Sequence, residues 1–151
     1  MKSNIEIRKA KSSEAQAIRK LEHEIWKEEV VNKYDIPMLI RFGYVYVAYD
    51  GDSLVGAVIA FCTNNNEIFV SDIVIDSDHQ GQGIGERLYQ KLLHDTKGKD
   101  IFAFVDPQRV ASVKLHEKLG GTIVERVKDP YDLEHDGGLE TGVRLLFKIK
   151  N

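Results

Sequence analysis

The segment Gln80-Gly81-Gln82-Gly83-Ile84-Gly85 constrains this chain more than any other stretch. An apolar run ending in Ile73-Val74-Ile75 precedes it, and Ile84, Leu88 and Leu92 follow at i, i+4 and i+8. A buried strand, a short polar link and three alternating glycines therefore lead into an amphipathic helix. Amides at a helix N-terminus lack intrahelical partners and carry the positive end of the helix dipole. Glycines let an anion approach those amides without Cβ atoms in the way, and pyrophosphate is the natural guest.

The elements around this turn define a mixed α/β chain. Ile5-Glu6-Ile7-Arg8 alternates as a short half-buried strand. Ser13 with Gln16 fits a capping box, and Ile18, Leu21 and Ile25 continue at helical spacing, so a helix is expected to about Val31. A shorter helix follows, with Pro37 near its first turn. Tyr44–Tyr49 and Leu54–Phe61 are rich in β-branched and aromatic residues around Asp50-Gly51-Asp52-Ser53, a hairpin signal. Glu67–Ile75 is the next strand. After the glycine turn and its helix, Ile101–Val105 forms a strand reached by a crossover, which implies a parallel pairing. A helix from about Arg109 to Leu119 stops at Gly120-Gly121. Thr122–Val127 and Val143–Ile149 read as two final strands, with a loop over Lys128–Gly142 between them.

Glycines before a helix serve several nucleotide folds, so alternatives must be weighed. A Walker-type loop is excluded because no Gly-Lys-Ser or Gly-Lys-Thr follows. A dinucleotide fingerprint needs a third glycine where this chain has Glu86 or Leu88, although Asp106 could imitate its ribose-binding acid. The dinucleotide oxidoreductase predicts stabilisation by NAD or NADP and none by coenzyme A. A glycine turn that binds nothing is the bland alternative.

A second block decides between them. Gln80-Gly81-Gln82-Gly83-Ile84-Gly85 resembles the Arg/Gln-x-x-Gly-x-Gly/Ala motif of the GNAT superfamily of acyl-CoA-dependent N-acetyltransferases. Asp106-Pro107 through Leu115-His116-Glu117-Lys118-Leu119-Gly120-Gly121 resembles that family's second block, which ends in Leu-Tyr-Glu-Lys-Leu-Gly-Phe. The resemblance implies one domain over residues 1–151, built on a largely antiparallel sheet of about seven strands flanked by about four helices. It implies a V-shaped parallel splay between the strands ending at Ile75 and Val105, and a β-bulge in the first of them. Backbone groups of Ile73, Val74 and Ile75 would pair with the pantetheine arm of acetyl-CoA. Amides of Gln80, Gly81, Gln82, Gly83, Ile84, Gly85 and Glu86 would hold the pyrophosphate. Arg109, where the family usually has asparagine, and Ser112 are counted with the coenzyme-binding residues. Ser77 and Gly121 depart from the common proline and phenylalanine.

Transfer to an amine needs a neutral nitrogen near the thioester, a stabilised oxyanion and a proton for the thiolate. The family usually transfers directly, and the amide of Val74 or a neighbour would polarise the carbonyl. His116 falls where relatives carry an acid tyrosine, and imidazole titrates near neutrality, so it is a candidate general acid. Asp72 is a carboxylate inside an apolar strand and must be paired, solvated by a cleft or functional; it is a candidate base or amine anchor. Glu28, Glu29, Asp35, Asp132, Glu134 and Asp136 fall in segments that would line the acceptor side, favouring a cationic amine.

Composition narrows the remaining classes. The 151 residues carry a net charge of −3 with interspersed signs, which excludes the basic face of a nucleic-acid binder. The lone Cys62 forms no intramolecular disulfide and is expected as a buried strand-end residue. Met1–Glu6 lacks the apolar stretch of a signal peptide, and no run approaches a membrane span of ~20 residues, so a cytoplasmic location is expected. No metal is implied. The resemblance allows a homodimer. An acyl-CoA-binding module without turnover is the nearest competing function.

Overall fold

Tyr44–Asp50 (β2) and Ser53–Cys62 (β3) pair antiparallel from Tyr44↔Ala60 to Asp50↔Ser53, with Gly51 at φ 60° in the turn between them. In the computed structural model, which describes residues 4–27, 31–133 and 142–151, this hairpin seeds a seven-stranded sheet. Ile5–Lys9 (β1) lies outside β2, and Ile68–Ile75 (β4) lies antiparallel against β3. Helix α3 (Ile84–Asp95) then crosses over to Ile101–Val105 (β5), parallel to β4. Val143–Ile149 (β7) and Thr122–Lys128 (β6) complete the order β1-β2-β3-β4-β5-β7-β6.

Helices cover both faces because the strands are apolar on both sides. On one face α3 contributes Ile84, Leu88, Tyr89 and Leu92, packed with Tyr46, Val58, Ile101 and Phe147. On the other, α1 (Ala15–Trp26) and α2 (Asp35–Phe42) bury Ile18, Leu21, Ile36 and Ile40 against Val45, Val47, Ile59 and Val74. Each such side chain taken from water contributes about 1.5–3 kcal/mol. Helix α4 (Val110–Lys118) ends where Gly120 takes φ 83° and the Gly121 NH donates to the His116 carbonyl at 2.9 Å. A Cβ on Gly121 would stand 2.7 Å from that oxygen, which accounts for glycine where phenylalanine is common.

Three local expectations are corrected. Helix α1 ends at Trp26 rather than near Val31, because Lys27 takes a left-handed φ of 60° and donates its NH to His23. The Ser13/Gln16 box is not what opens it. A 3-10 turn over Ser12–Glu14 does, with Glu14 Oε1 accepting the Lys11 NH at 2.7 Å. Arg8 grips the Glu14 carboxylate at 2.8 and 2.7 Å and the Tyr49 hydroxyl donates to it. Cys62 is exposed at the end of β3, its thiol directed at Thr63 O and Asn66 Oδ1, so it is no core residue.

Candidate active site

The parallel ladder between β4 and β5 stops early. Pairing runs Ile68↔Ile101, Phe69↔Phe102 and Val70↔Ala103 and no further. Beyond it β4 continues to Ile75 against β3, while β5 continues to Val105 against β7. Each strand thus follows its outer neighbour, and the edge of Ser71–Ile75 that faces β5 has no strand partner among the described residues. A bulge marks the parting point. Ile59 opposes Asp72 and Ala60 opposes Val70, leaving Ser71 as the extra residue. A bulge offsets the alternation of faces. Ile68 and Val70 therefore pack on the α3 side, whereas Val74 joins the α1–α2 side and Ile73 and Ile75 turn toward α3.

The glycine segment lies just beyond this edge. Ser77–His79 form a 3-10 turn, and Gly81 and Gly83 take φ 77° and 78°, values that side-chain-bearing residues avoid. Gly83 caps α3, and the first helical bond runs from the Arg87 NH to the Gly83 carbonyl at 3.1 Å. The amides of Ile84, Gly85 and Glu86 precede that bond and lack helical acceptors. A Cβ at Gly81 or Gly83 would meet no atom within 4 Å, so open space adjoins the segment. This geometry suits a diphosphate. The side chains there have other tasks. Gln80 bonds back to the Ile75 carbonyl at 3.3 Å, and Glu86 pairs with Lys118 of α4 at 2.8 Å. His79 braces the segment, with ring nitrogens 2.8 Å from Asp76 and 2.9 Å from Asp50. Hydrogen bonds to Asp50 and Asp76 raise its pKa.

The structure sets His116 in the core instead of the splay. It is 1% exposed, between the rings of Tyr89 and Phe147. Its Nδ1 lies 2.7 Å from the Ser112 carbonyl, which can only accept, so Nδ1 carries the proton. Nε2 then accepts the Tyr89 hydroxyl at 2.6 Å. Burial lowers the His116 pKa, against the Ser112 hydrogen bond. A neutral imidazole with both nitrogens engaged has no proton to offer a thiolate. Ser112 serves this pair through its carbonyl.

Asp72 is 7% exposed and sits two residues past the last β4–β5 pair. Its Oδ2 has no hydrogen-bond partner among the described residues, nor has Trp26 Nε1 of α1. Burial raises the Asp72 pKa, with Glu22, Trp26, the Ile73 amide and Arg109 pulling it back. Arg109 stacks its guanidinium 3.8 Å from the Trp26 ring centre, which brings its charge near Asp72. Tyr131 stands edge-on to Phe104 at 5.9 Å and senses the Asp72 charge.

Sequence reasoning missed Glu22, which is 1% exposed. Its signal was present, since Glu22 falls between Ile18, Leu21 and Ile25 on the buried stripe of α1. Of the acidic acceptor-side candidates, Asp35 opens α2 and Asp132 follows β6 at the surface. Glu28, Glu29, Glu134 and Asp136 lie outside the described residues. Among those described, no cluster of His, Cys, Asp and Glu could hold a metal ion.

A parted parallel strand pair beside a helix start whose free amides suit an anion, with a buried acid on the opposite face, fits an acyltransferase that uses a coenzyme-borne acyl group. The chain belongs to the acetyltransferase (GNAT) family, whose model matches residues 12–121 and so spans both motif blocks. The diaminobutyrate acetyltransferase EctA from Paenibacillus lautus, solved with L-2,4-diaminobutyric acid and coenzyme A, superposes with a TM-score of 0.80 at 20% identity, over 99% of this chain and 96% of that one. The yncA protein of Salmonella typhimurium with acetyl-CoA gives 0.78 at 19% identity, over 98% and 94%. Arabidopsis thaliana Naa50 with the bisubstrate analogue CoA-Ac-MVNAL gives 0.77 at 15%, over 95% and 97%. These similarities establish the shared fold. Among curated proteins no sequence matches significantly.

Proposed function

We propose that this acetyltransferase moves the acetyl group of acetyl-CoA directly onto an amine, within one domain over residues 1–151. The carrying observation is the β4–β5 ladder that ends at Val70 and Ala103 beside a helix opened by Gly81 and Gly83. In this reading the amides from Gln80 to Glu86 hold the diphosphate, and the free edge at Ile73–Ile75 pairs with the pantetheine arm. The Val74 amide polarises the thioester carbonyl. The amine nitrogen attacks the carbonyl carbon, the C–N bond forms as the C–S bond breaks, and Asp72 takes the proton that nitrogen loses. A thiol of ordinary pKa, about 8.5, leaves as thiolate and is reprotonated by water. His116 and Ser112 are assigned to support of the α3–α4 wall, and Arg109 to the acceptor side.

Support for acetyl-CoA and for an amine comes from the relatives solved with acetyl-CoA, with coenzyme A and diaminobutyrate, and with a peptide bisubstrate analogue. A net charge of −3 speaks against nucleic acid as a partner. Among the described residues no helix is long and apolar enough to cross a membrane, and the exposed thiol of Cys62 suits a reducing cytoplasm. A homodimer would find a surface on edge strand β6, where Ile123 and Val124 are about half exposed.

Thermal shift with acetyl-CoA tests this reading. At about a hundredfold excess over Kd the wild type should gain about 5–10 °C. Gly83→Asp, which sets a carboxylate at the diphosphate position, should lose that gain while keeping its far-UV circular dichroism. An equal gain in Gly83→Asp, or none in the wild type, contradicts the proposal.

A further inference from the structure

The acceptor side carries more information than its acid. A groove of about 510 Å³ lies between α2 and the strands, lined by Val31, Asp35, Met38, Leu39, Phe61 and Ser71. That volume is in the range of small-molecule sites. Its walls are apolar except for Asp35 and Ser71, and Ser71 Oγ is already spent on the Ile59 carbonyl at 3.2 Å. Met38 is 50% exposed and Phe61 36% exposed, so apolar surface awaits cover there. Ser71 is also the bulged residue, and the next residue along the strand is Asp72, whose Oδ2 is buried without a hydrogen-bond partner among the described residues. The apolar groove therefore adjoins an acidic end built by Asp72 with Glu22.

We propose that the acceptor is a primary amine on an apolar body, its ammonium received by the Asp72–Glu22 pair and its body by the groove of Val31, Met38, Leu39 and Phe61. The inference rests on the acetyl-transfer reading and adds the substrate class to it. Charge complementarity argues for the ammonium: an unpartnered carboxylate oxygen in a buried place is costly until a donor arrives. The groove argues for the body, because Val31, Met38, Leu39 and Phe61 offer apolar cover over most of its lining and Asp35 alone could meet a second charge. Glu22 is a positioning residue here. It stabilises the ionised form of Asp72, which must be the form that meets the amine. The other groups around Asp72 are Trp26 on α1, Arg109 at the start of α4 and Tyr131 after β6.

The test follows thiol release from acetyl-CoA with 2-phenylethylamine and with 1,4-diaminobutane, after thermal shift has shown acetyl-CoA binding. The expected kcat/KM is about tenfold or more higher for 2-phenylethylamine. Met38→Glu should raise KM for 2-phenylethylamine about tenfold and leave the acetyl-CoA shift unchanged. Glu22→Leu, which extends the apolar stripe of α1, should move the acid limb of the kcat/KM profile to higher pH. Glu22→Gln, which can still donate to Asp72, should hold that limb in place. A preference for 1,4-diaminobutane, no turnover of 2-phenylethylamine by protein that binds acetyl-CoA, or an unmoved limb in Glu22→Leu overturns the inference. Failure to bind acetyl-CoA overturns instead the reading beneath it.

Discussion

Burial favours the neutral form of both His116 and Asp72, and their neighbours then separate their roles. His116 has a partner on each nitrogen, so its environment is complete and the ring acts as a polar strut between α3, α4 and β7. Asp72 keeps one oxygen without a hydrogen-bond partner among the described residues, so its environment leaves room for a donor that enters. Glu14 shows the contrasting outcome. Its hydrogen bonds with Arg8 push the pKa down to about 2, and a satisfied carboxylate of that kind stabilises the native state above its unfolded pKa and is lost as pH falls toward 2. The motif resemblance set His116 where relatives carry an acid tyrosine; what it could not show was Tyr89, twenty-seven residues away, hydrogen-bonded to the ring. His116→Phe should therefore lower stability by about 1–3 kcal/mol in urea denaturation, since the buried Tyr89 hydroxyl loses its acceptor. The pH profile of turnover should stay in place. A lost limb in that profile would return His116 to the chemistry.

At the level of elements, the hairpin of β2 and β3, the crossover helix and the capped end of α4 were legible because glycine and the apolar period mark them. The bulge was not. An extra residue in a strand leaves no compositional mark, and Ile68, Val70 and Val74 read as one continuous face although Ser71 divides them. The end of α1 was equally hidden, because its left-handed residue is Lys27 and not glycine. The site depends on these unmarked features: the bulge turns Asp72 toward Glu22 and Trp26 instead of toward the apolar contacts of α3. Deleting Ser71 should straighten β4 and leave Asp72 on its present face, because Val70 and Asp72 would then oppose Ala60 and Ile59 in regular alternation. We expect a loss of no more than about 3 kcal/mol, read from the urea midpoint. A loss of about 5 kcal/mol, as for an unpaired buried charge, would mean that the deletion turns Asp72 to the α3 face.

Across the whole molecule, one sheet behaves as two. Strands β1 to β4 form one block and β5, β7 and β6 another, joined by the three residue pairs of the β4–β5 ladder. The helices on either face hold the blocks together, so the strands can part at one end without the core opening. The glycine start of α3 and the acid on β4 then flank the same gap from opposite faces. The parallel crossover and the splay between the strands ending at Ile75 and Val105 were legible in outline, from the helix between those strands and from the motif blocks. The acceptor groove was not, because it is assembled from residues of α2, β3 and β4 that no local spacing connects. Hydrogen exchange measured by mass spectrometry, with and without acetyl-CoA, tests the central claim most directly. Slowing should concentrate at residues 71–75 and 80–86, where strand edge and helix start receive the arm and diphosphate. Unchanged exchange in both segments under saturating acetyl-CoA would contradict the account.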